Sequence, residues 1–260
     1  MGVYVVTGGT KGIGEQAVRI LRNLEHEVIN VDISNGDITA DLGTVEVREL
    51  VISKVRECCP DGLDGLLCNH GITGLPRHKL SYVLSTNYFG SVVIMEGLYG
   101  LLKRKKGKCV VTISGSITHV NRRKYFVDSL LTNCGDEVRI SRLVDTFPPQ
   151  RGDIMYLSSK IALTNWVRRV SASWASNGVN INALVPGAVA TNIMEGYIRP
   201  DLDTYYYPMP LLYGTEDQMD PYDVGQALVS LVLPEGKGIC GSVLYCDGGH
   251  AAILDPDRAT

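Results

Sequence analysis

Short runs of β-branched and aliphatic residues alternate along this chain with longer segments in which apolar positions recur every three to four residues. The alternation starts at once. Val3 to Val6 reads as a strand, Gly14 to Glu25 as a helix, Glu27 to Asp32 as a strand and Val45 to Cys59 as a helix. Leu63 to Cys68, Cys109 to Ser114, Asn180 to Val185 and Ser242 to Cys246 are further short runs bounded by Gly, Pro, Asp or Asn. Ser81 to Lys103, Asp153 to Ser176 and Pro221 to Leu233 carry the helical period. Strands that alternate with helices predict a parallel sheet covered on both faces, a three-layer αβα sandwich.

Two segments break this rhythm. Residues 120–150 separate a strand from a helix; they are polar at first, then weakly helical, and end in Phe147-Pro148-Pro149. Residues 192–220 hold Tyr197, Tyr205, Tyr206, Tyr207 and Tyr213. Long excursions of this kind from an α/β domain form lids or interaction surfaces. With 260 residues and no repeat, the expectation is one domain spanning 1–260, with an insertion at about 120–150 and a substrate lid at about 192–220.

Composition narrows the class. The chain is 45% hydrophobic and 20% charged, as an ordinary globular protein is, and its formal net charge of -3 gives no electrostatic footprint for nucleic acid. The dense cluster Lys103-Arg104-Lys105-Lys106 follows an apolar helical stretch and reads as a solvated helix end. Seven cysteines without metal-ligand spacing, several of them inside apolar runs, point to free thiols and a cytoplasmic location. The opening strand leaves no room for a signal segment, and no apolar stretch has the length of a membrane span.

The first strand runs into Thr7-Gly8-Gly9-Thr10-Lys11-Gly12-Ile13-Gly14 and then into a helix. Glycines at such a turn let the backbone approach a pyrophosphate, and the helix N-terminus adds amide donors. Gly8, Thr10, Lys11, Gly12, Ile13 and Gly14 are the candidate contacts. The second strand ends at Asp32, followed by Ile33, where a dinucleotide fold places the acid that binds the adenosine ribose hydroxyls. A carboxylate there repels a 2'-phosphate and favours NAD, whereas Lys11 beside the glycines favours NADP; the fixed carboxylate outweighs the flexible lysine. Asp32 also suits a turn or helix cap. Asp41-Leu42 and Asn69-His70-Gly71 fall at the ends of later strands, the edge where ligands of open α/β sheets bind.

Tyr156-Leu157-Ser158-Ser159-Lys160 sets a phenol and an ammonium four residues apart on one helix face. A fixed positive charge favours the phenolate and brings a tyrosine toward working pH as a general acid or base. Tyr99 and Lys103 have the same spacing. Only the Tyr156 pair has company: the glycine turn, Asp32, the Asn69 strand end, a helix with Asn87 and Ser114-Gly115-Ser116 at a strand end, all in order.

In this order and spacing the chain resembles the short-chain dehydrogenase/reductase family over nearly its whole length. The resemblance implies a Rossmann-type doubly wound sheet and a nicotinamide-dependent exchange between a secondary alcohol and a ketone. It implies a tetrad in which Asn87 holds a relay water, a serine binds the substrate oxygen, Tyr156 transfers a proton and Lys160 holds the nicotinamide ribose and lowers the tyrosine pKa. It assigns Pro186, Gly187, Val189 and Thr191 to the nicotinamide side. The serine is Ser116 or Ser114, with Ser116 preferred because Gly115-Ser116-Ile117 looks like the family's Gly-Ser-Ile/Val variant. His70 replaces a small residue of the family pattern and reads as a structural histidine.

The long serine-to-tyrosine gap, Asp41-Leu42-Gly43-Thr44 and Asn87-Tyr88-Phe89-Gly90 are similar to the bacterial 3α-hydroxysteroid dehydrogenase/carbonyl reductase subgroup. This likeness implies a steroid or bile-acid substrate, a class that the apolar residues Ile193, Met194, Met209 and Leu211 of the lid also suit. A sugar, polyol or small-ketone substrate is the alternative within the family, and a silent dinucleotide-binding sensor the alternative outside it. The family also implies a homo-oligomer, a dimer or tetramer, although the insertion would cover a helix face that most members use for dimerisation.

Overall fold

The computed structural model describes residues 1–115, 117, 129–130, 136–191, 218–254 and 256–257. Among these, the strands β1 (Val3–Thr7), β2 (Glu27–Asp32), β3 (Ile38–Thr39), β4 (Gly65–Cys68), β5 (Lys108–Thr112), β6 (Asn180–Pro186) and β7 (Val243–Cys246) form one parallel sheet in the order β3-β2-β1-β4-β5-β6-β7. The parallel sheet expected from the alternating pattern is therefore present, in the doubly wound order that the family resemblance implies. β3 escaped the pattern because two residues are too short to display a period.

Successive side chains of each strand feed opposite faces. Val5 and Leu66 join a core with α2 (Val45–Cys58), α3 (Leu80–Leu84), α4 (Ser91–Lys105) and the long α6 (Gly152–Ala175). Tyr4, Val6 and Leu67 join a second core with α1 (Gly12–Asn23) and α7 (Pro221–Ser230). A short α8 (His250–Leu254) follows β7. The apolar pattern of Ser81 to Lys103 is indeed helical throughout, but Ser85–Gly90 widens into a π-helical stretch with Asn87 at its middle. Gly90 permits this course, since a Cβ there would lie 2.8 Å from Leu42 O and 3.1 Å from His70 Nε2.

The second half of the expected insertion is ordered around α5 (Glu137–Val144), capped by Asp136, which accepts from Arg139 N. Its apolar face buries Ile140 and Val144 against α3 and the π-helical stretch. Two polar contacts hold its ends. Asp145 accepts from the backbone and hydroxyl of Ser81 at the start of α3, at 2.9 and 2.8 Å. Glu137 accepts from both terminal nitrogens of Arg48 on α2, at 2.6 and 2.9 Å, and Arg48 is 1% exposed. Proline at 149 then opens a 3-10 turn, Pro149–Arg151, that leads into α6. The start of α6 lies against the loop after β4: a Cβ on Gly152 would sit 2.0 Å from Gly74 O, and the converse holds for Gly74. The stretches 118–128 and 131–135 of the insertion, and 192–217 of the expected lid, lie outside the described residues.

His70 joins the end of β1 to the π-helical stretch, with Nδ1 2.6 Å from Thr7 Oγ1 and Nε2 3.2 Å from Thr86 O. Burial, and then the nearby Lys160 charge, push its pKa from 6.5 down to about 3, while the bond to Thr86 O acts in the opposite sense. Between those two values the unfolded chain binds one proton more than the folded one. The contribution of a neutral His70 is therefore complete above pH 6.5 and drains as the pH falls toward 3, by at most about 1.4 kcal/mol per pH unit. Urea unfolding between neutral and mildly acid pH should accordingly show a steeper loss of stability for the native chain than for His70→Gln; equal slopes would remove His70 as the titrating group.

Candidate active site

Parallel pairing delivers Thr7, Asp32, Thr39, Cys68, Thr112, Pro186 and Cys246 to one edge of the sheet. Strand order reverses between β1 and β4, which opens a crevice at that edge. The residues nominated above gather around it in two groups.

On the β1–β2 side, the turn from Thr7 to Gly14 is shaped by positive φ at Gly8 (69°) and Gly12 (59°). A Cβ on Gly8 would lie 2.7 Å from His70 Cα, and one on Gly14 would lie 2.0 Å from Gly8 O. Gly9 N donates to Asn30 Oδ1 at 3.1 Å and Thr10 N to Asp32 Oδ2 at 3.0 Å. The start of α1 is different: Lys11 stands at its cap position in extended conformation, exposed, and no side chain caps the helix. Ile33 is 61% exposed beside Asp32. Asp41 Oδ1 accepts from Gly43 N at 2.8 Å and from the Tyr82 hydroxyl at 3.1 Å, while Leu42 is buried and its carbonyl accepts from Arg48 Nε at 2.7 Å.

On the β4–β5 side, Asn69 bridges the halves, donating to Gly8 O at 3.1 Å and accepting from Thr112 Oγ1 at 2.9 Å. Asn87 clamps Ile72, accepting from its N–H at 2.8 Å and donating to its carbonyl at 2.9 Å. Lys160 is almost fully buried and donates to Thr112 O at 3.2 Å. Gly71 lies against both: a Cβ there would meet Asn87 Oδ1 at 3.2 Å and Lys160 Nζ at 3.3 Å. Tyr156 sits one turn earlier on α6, its ring centroid 6.0 Å from Lys160 Nζ. Its hydroxyl is hydrogen-bonded to Ser114. Ser116, the serine favoured by the sequence pattern, lies outside the described residues.

Behind these groups, Gly187 packs on Asp247 and donates its N–H to Cys246 O. Val189 is buried and bridges to Met219. Thr191 packs on the glycine turn, its methyl 2.8 Å from where a Gly12 Cβ would be. The other tyrosine-lysine pair is elsewhere. Tyr99 stacks on Trp174 at 4.7 Å between ring centroids, as a packing residue does.

The electrostatics differ from a simple expectation of an acidified phenol. Burial raises the Tyr156 pKa above its ordinary 10.0, with the Ser114 bond pulling the other way. Burial also lowers Lys160 from 10.5 to about 8, which the neighbouring Cys68 partly resists. Both shifts have one origin: low-dielectric surroundings disfavour whichever form is charged. Thr112, Thr86, Tyr82 and Arg48 escaped the sequence reading. A polar residue ending the apolar run of β5 was the one available signal, at Thr112.

The six described cysteines are free, and no described helix is long and apolar enough to cross a membrane. A family model described as enoyl-(acyl carrier protein) reductase matches residues 8–251. A 3-alpha-hydroxysteroid dehydrogenase/carbonyl reductase from Comamonas testosteroni is 28% identical over 264 residues, covering 99% of this chain and 100% of that protein. A 3-oxoacyl-[acyl-carrier-protein] reductase from Rickettsia prowazekii (strain Madrid E) is 24% identical, with 96% of each chain covered. The crystal structure of a 3-alpha-hydroxysteroid dehydrogenase from Pseudomonas sp. B-0831, complexed with NADH, superposes with a TM-score of 0.87 at 30% identity, covering 99% of this chain and 100% of that one. The match runs through both halves of the sheet rather than over one motif, and this chain belongs to the short-chain dehydrogenase/reductase family as an oxidoreductase acting on CH–OH groups.

Proposed function

We propose that this protein interconverts a secondary alcohol and a ketone with NAD(H), and that its substrate is a hydroxysteroid or bile acid, of the 3α type. The observation that carries the chemistry is the convergence of Tyr156, Lys160 and Ser114 beside Asn87 at the crevice. The substrate class rests on the two 3-alpha-hydroxysteroid dehydrogenases, similar at 28% and 30% identity over nearly the full length of both chains.

The chain fits a dinucleotide. An α1 N-terminus without a side-chain cap offers its first amides to a pyrophosphate, and positive φ at Gly8 and Gly12 shapes the turn that leads into it. Thr10, Lys11, Ile13 and Gly14 complete that cradle, with Asp32 and Ile33 at the adenosine ribose and Asp41-Leu42 beyond them. Asn69, His70, Gly71, Pro186, Gly187, Val189 and Thr191 surround the nicotinamide half. When bound, the nicotinamide supplies or accepts the hydride.

The remaining work belongs to the protein. Ser114 donates to the substrate oxygen and keeps it beside Tyr156 Oη; Ser116 is its alternative in this role. Tyr156 takes the hydroxyl proton when alcohol is oxidised and returns it when ketone is reduced. Lys160 in its charged form stabilises the phenolate, and Asn87 orders the proton path behind it. Asp32 disfavours a 2'-phosphate by charge while also closing the turn on Thr10 N.

Absorbance of NADH tests the whole reading with a panel of hydroxysteroids, bile acids, polyols and simple secondary alcohols. A 3α-hydroxysteroid should give the highest kcat/KM. Polyols in first place would replace the substrate class, and silence across the panel despite NADH binding would favour a sensor. Tyr156→Phe should lower turnover by about 10²–10⁴-fold while leaving NADH affinity nearly unchanged.

Alcohol oxidation needs the phenolate, and burial has raised the Tyr156 pKa. Its rate should therefore rise with pH through the neutral range to about 8, where Lys160 begins to lose the charge that supports the phenolate, and an oxidation rate that falls as pH rises below that value would exclude Tyr156 as the base. NADPH should bind at least about tenfold more weakly than NADH, a difference of about 1.4 kcal/mol. Asp32→Ala should narrow that gap; an unchanged ratio in a titration of both cofactors would remove Asp32 as the discriminating group.

A further inference from the structure

We propose that the Arg48–Glu137 ion pair and Tyr82 are positioning groups for the adenosine half of the cofactor site, so that the inserted helix α5 sets cofactor affinity from outside the crevice. The inference rests on the dinucleotide reading above. β3 is the outermost strand on the β2 side, so the loop that follows it, Asp41 to Gly43, forms the outer wall beyond Asp32.

This wall is held by its own turn, in which Asp41 Oδ1 accepts from Gly43 N at 2.8 Å and Asp41 O from Thr44 N at 3.1 Å, and from outside itself. Tyr82 on α3 donates to Asp41 Oδ1 at 3.1 Å. Arg48 donates to Leu42 O at 2.7 Å and to Gly43 O at 3.2 Å. A guanidinium 1% exposed needs a carboxylate, and Glu137 of α5 supplies it through two bonds, at 2.6 and 2.9 Å. Loss of that charge favours movement of Arg48 toward water, which frees both carbonyls of the wall. The far end of α5 acts on the same loop by a second route, since Asp145 holds Ser81, the neighbour of Tyr82. The remaining acceptor of Arg48 is Ser85 O, at 2.9 Å, where the stretch carrying Asn87 begins. A role on the adenosine side is thus separable from a role on the nicotinamide side by choice of ligand.

The test is titration of wild type, Glu137→Gln and Tyr82→Phe with NADH and with ADP-ribose, which lacks the nicotinamide, well below each melting transition. Both ligands should weaken by the same factor in both variants, on the order of fivefold to tenfold. Tyr82→Phe removes one hydroxyl and keeps the ion pair, so it serves even where Glu137→Gln does not fold. Unchanged affinities beside a lowered Tm would make the pair structural only and overturn the proposal. Weakened NADH with unchanged ADP-ribose would move the effect to Asn87 and overturn it as well. Wild type that binds neither ligand would instead sink the dinucleotide reading, and this inference with it.

Discussion

Parallel pairing is the constraint from which the rest of this molecule follows. Strands that run the same way must be joined by crossovers, so every strand delivers its last residue to one edge of the sheet and every helix packs on a face. Winding in opposite senses from β1 and β4 then parts the crossovers and leaves a crevice at the reversal. Thr7, Asp32, Cys68 and Thr112 reach that crevice through backbone pairing alone, before any side chain at the edge has made a contact.

The floor of the crevice is expensive ground for polar groups, because packing removes groups such as Lys160 and Asn87 from water. Lys160, His70 and Asn87 lie at or beneath it, held by backbone carbonyls, amides or hydroxyls, and Arg48 beside its outer wall is held by carbonyls and the Glu137 carboxylate. The direction of the pKa shifts records the cost: His70 and Lys160 move down and Tyr156 moves up, each toward its neutral form. An acid/base pair of this kind, with both members pressed toward neutrality, responds to a charge or dipole brought beside it more strongly than the same pair in water would.

The insertion adds a second layer to this plan. Its α5 does not extend the sheet or close the crevice; it docks on α3 and the π-helical stretch and supplies the counter-charge to Arg48. The same layer touches the start of the π-helical stretch, where Arg48 donates to Ser85 O at 2.9 Å.

What could be read along the chain was whatever depends on near neighbours. The alternation of strands and helices, the glycine turn and the Tyr156–Lys160 spacing are all local, since periods of two and 3.6 residues and an i, i+4 pair follow from backbone geometry. The exclusion of Tyr99–Lys103 was also legible, from its lack of companions in order. Tertiary structure decided what depends on direction or on distant partners. Which side chains reach the Tyr156 hydroxyl turns on the course of the chain after β5, where Ser114 is one such partner. Arg48 and Glu137 stand 89 positions apart, and Gly74 and Gly152 meet backbone to backbone, so neither pair carries any periodic signature. Burial acts on Tyr156 against the direction that a neighbouring ammonium favours, because spacing reveals a nearby charge while only the packed interior reveals how far water has been removed.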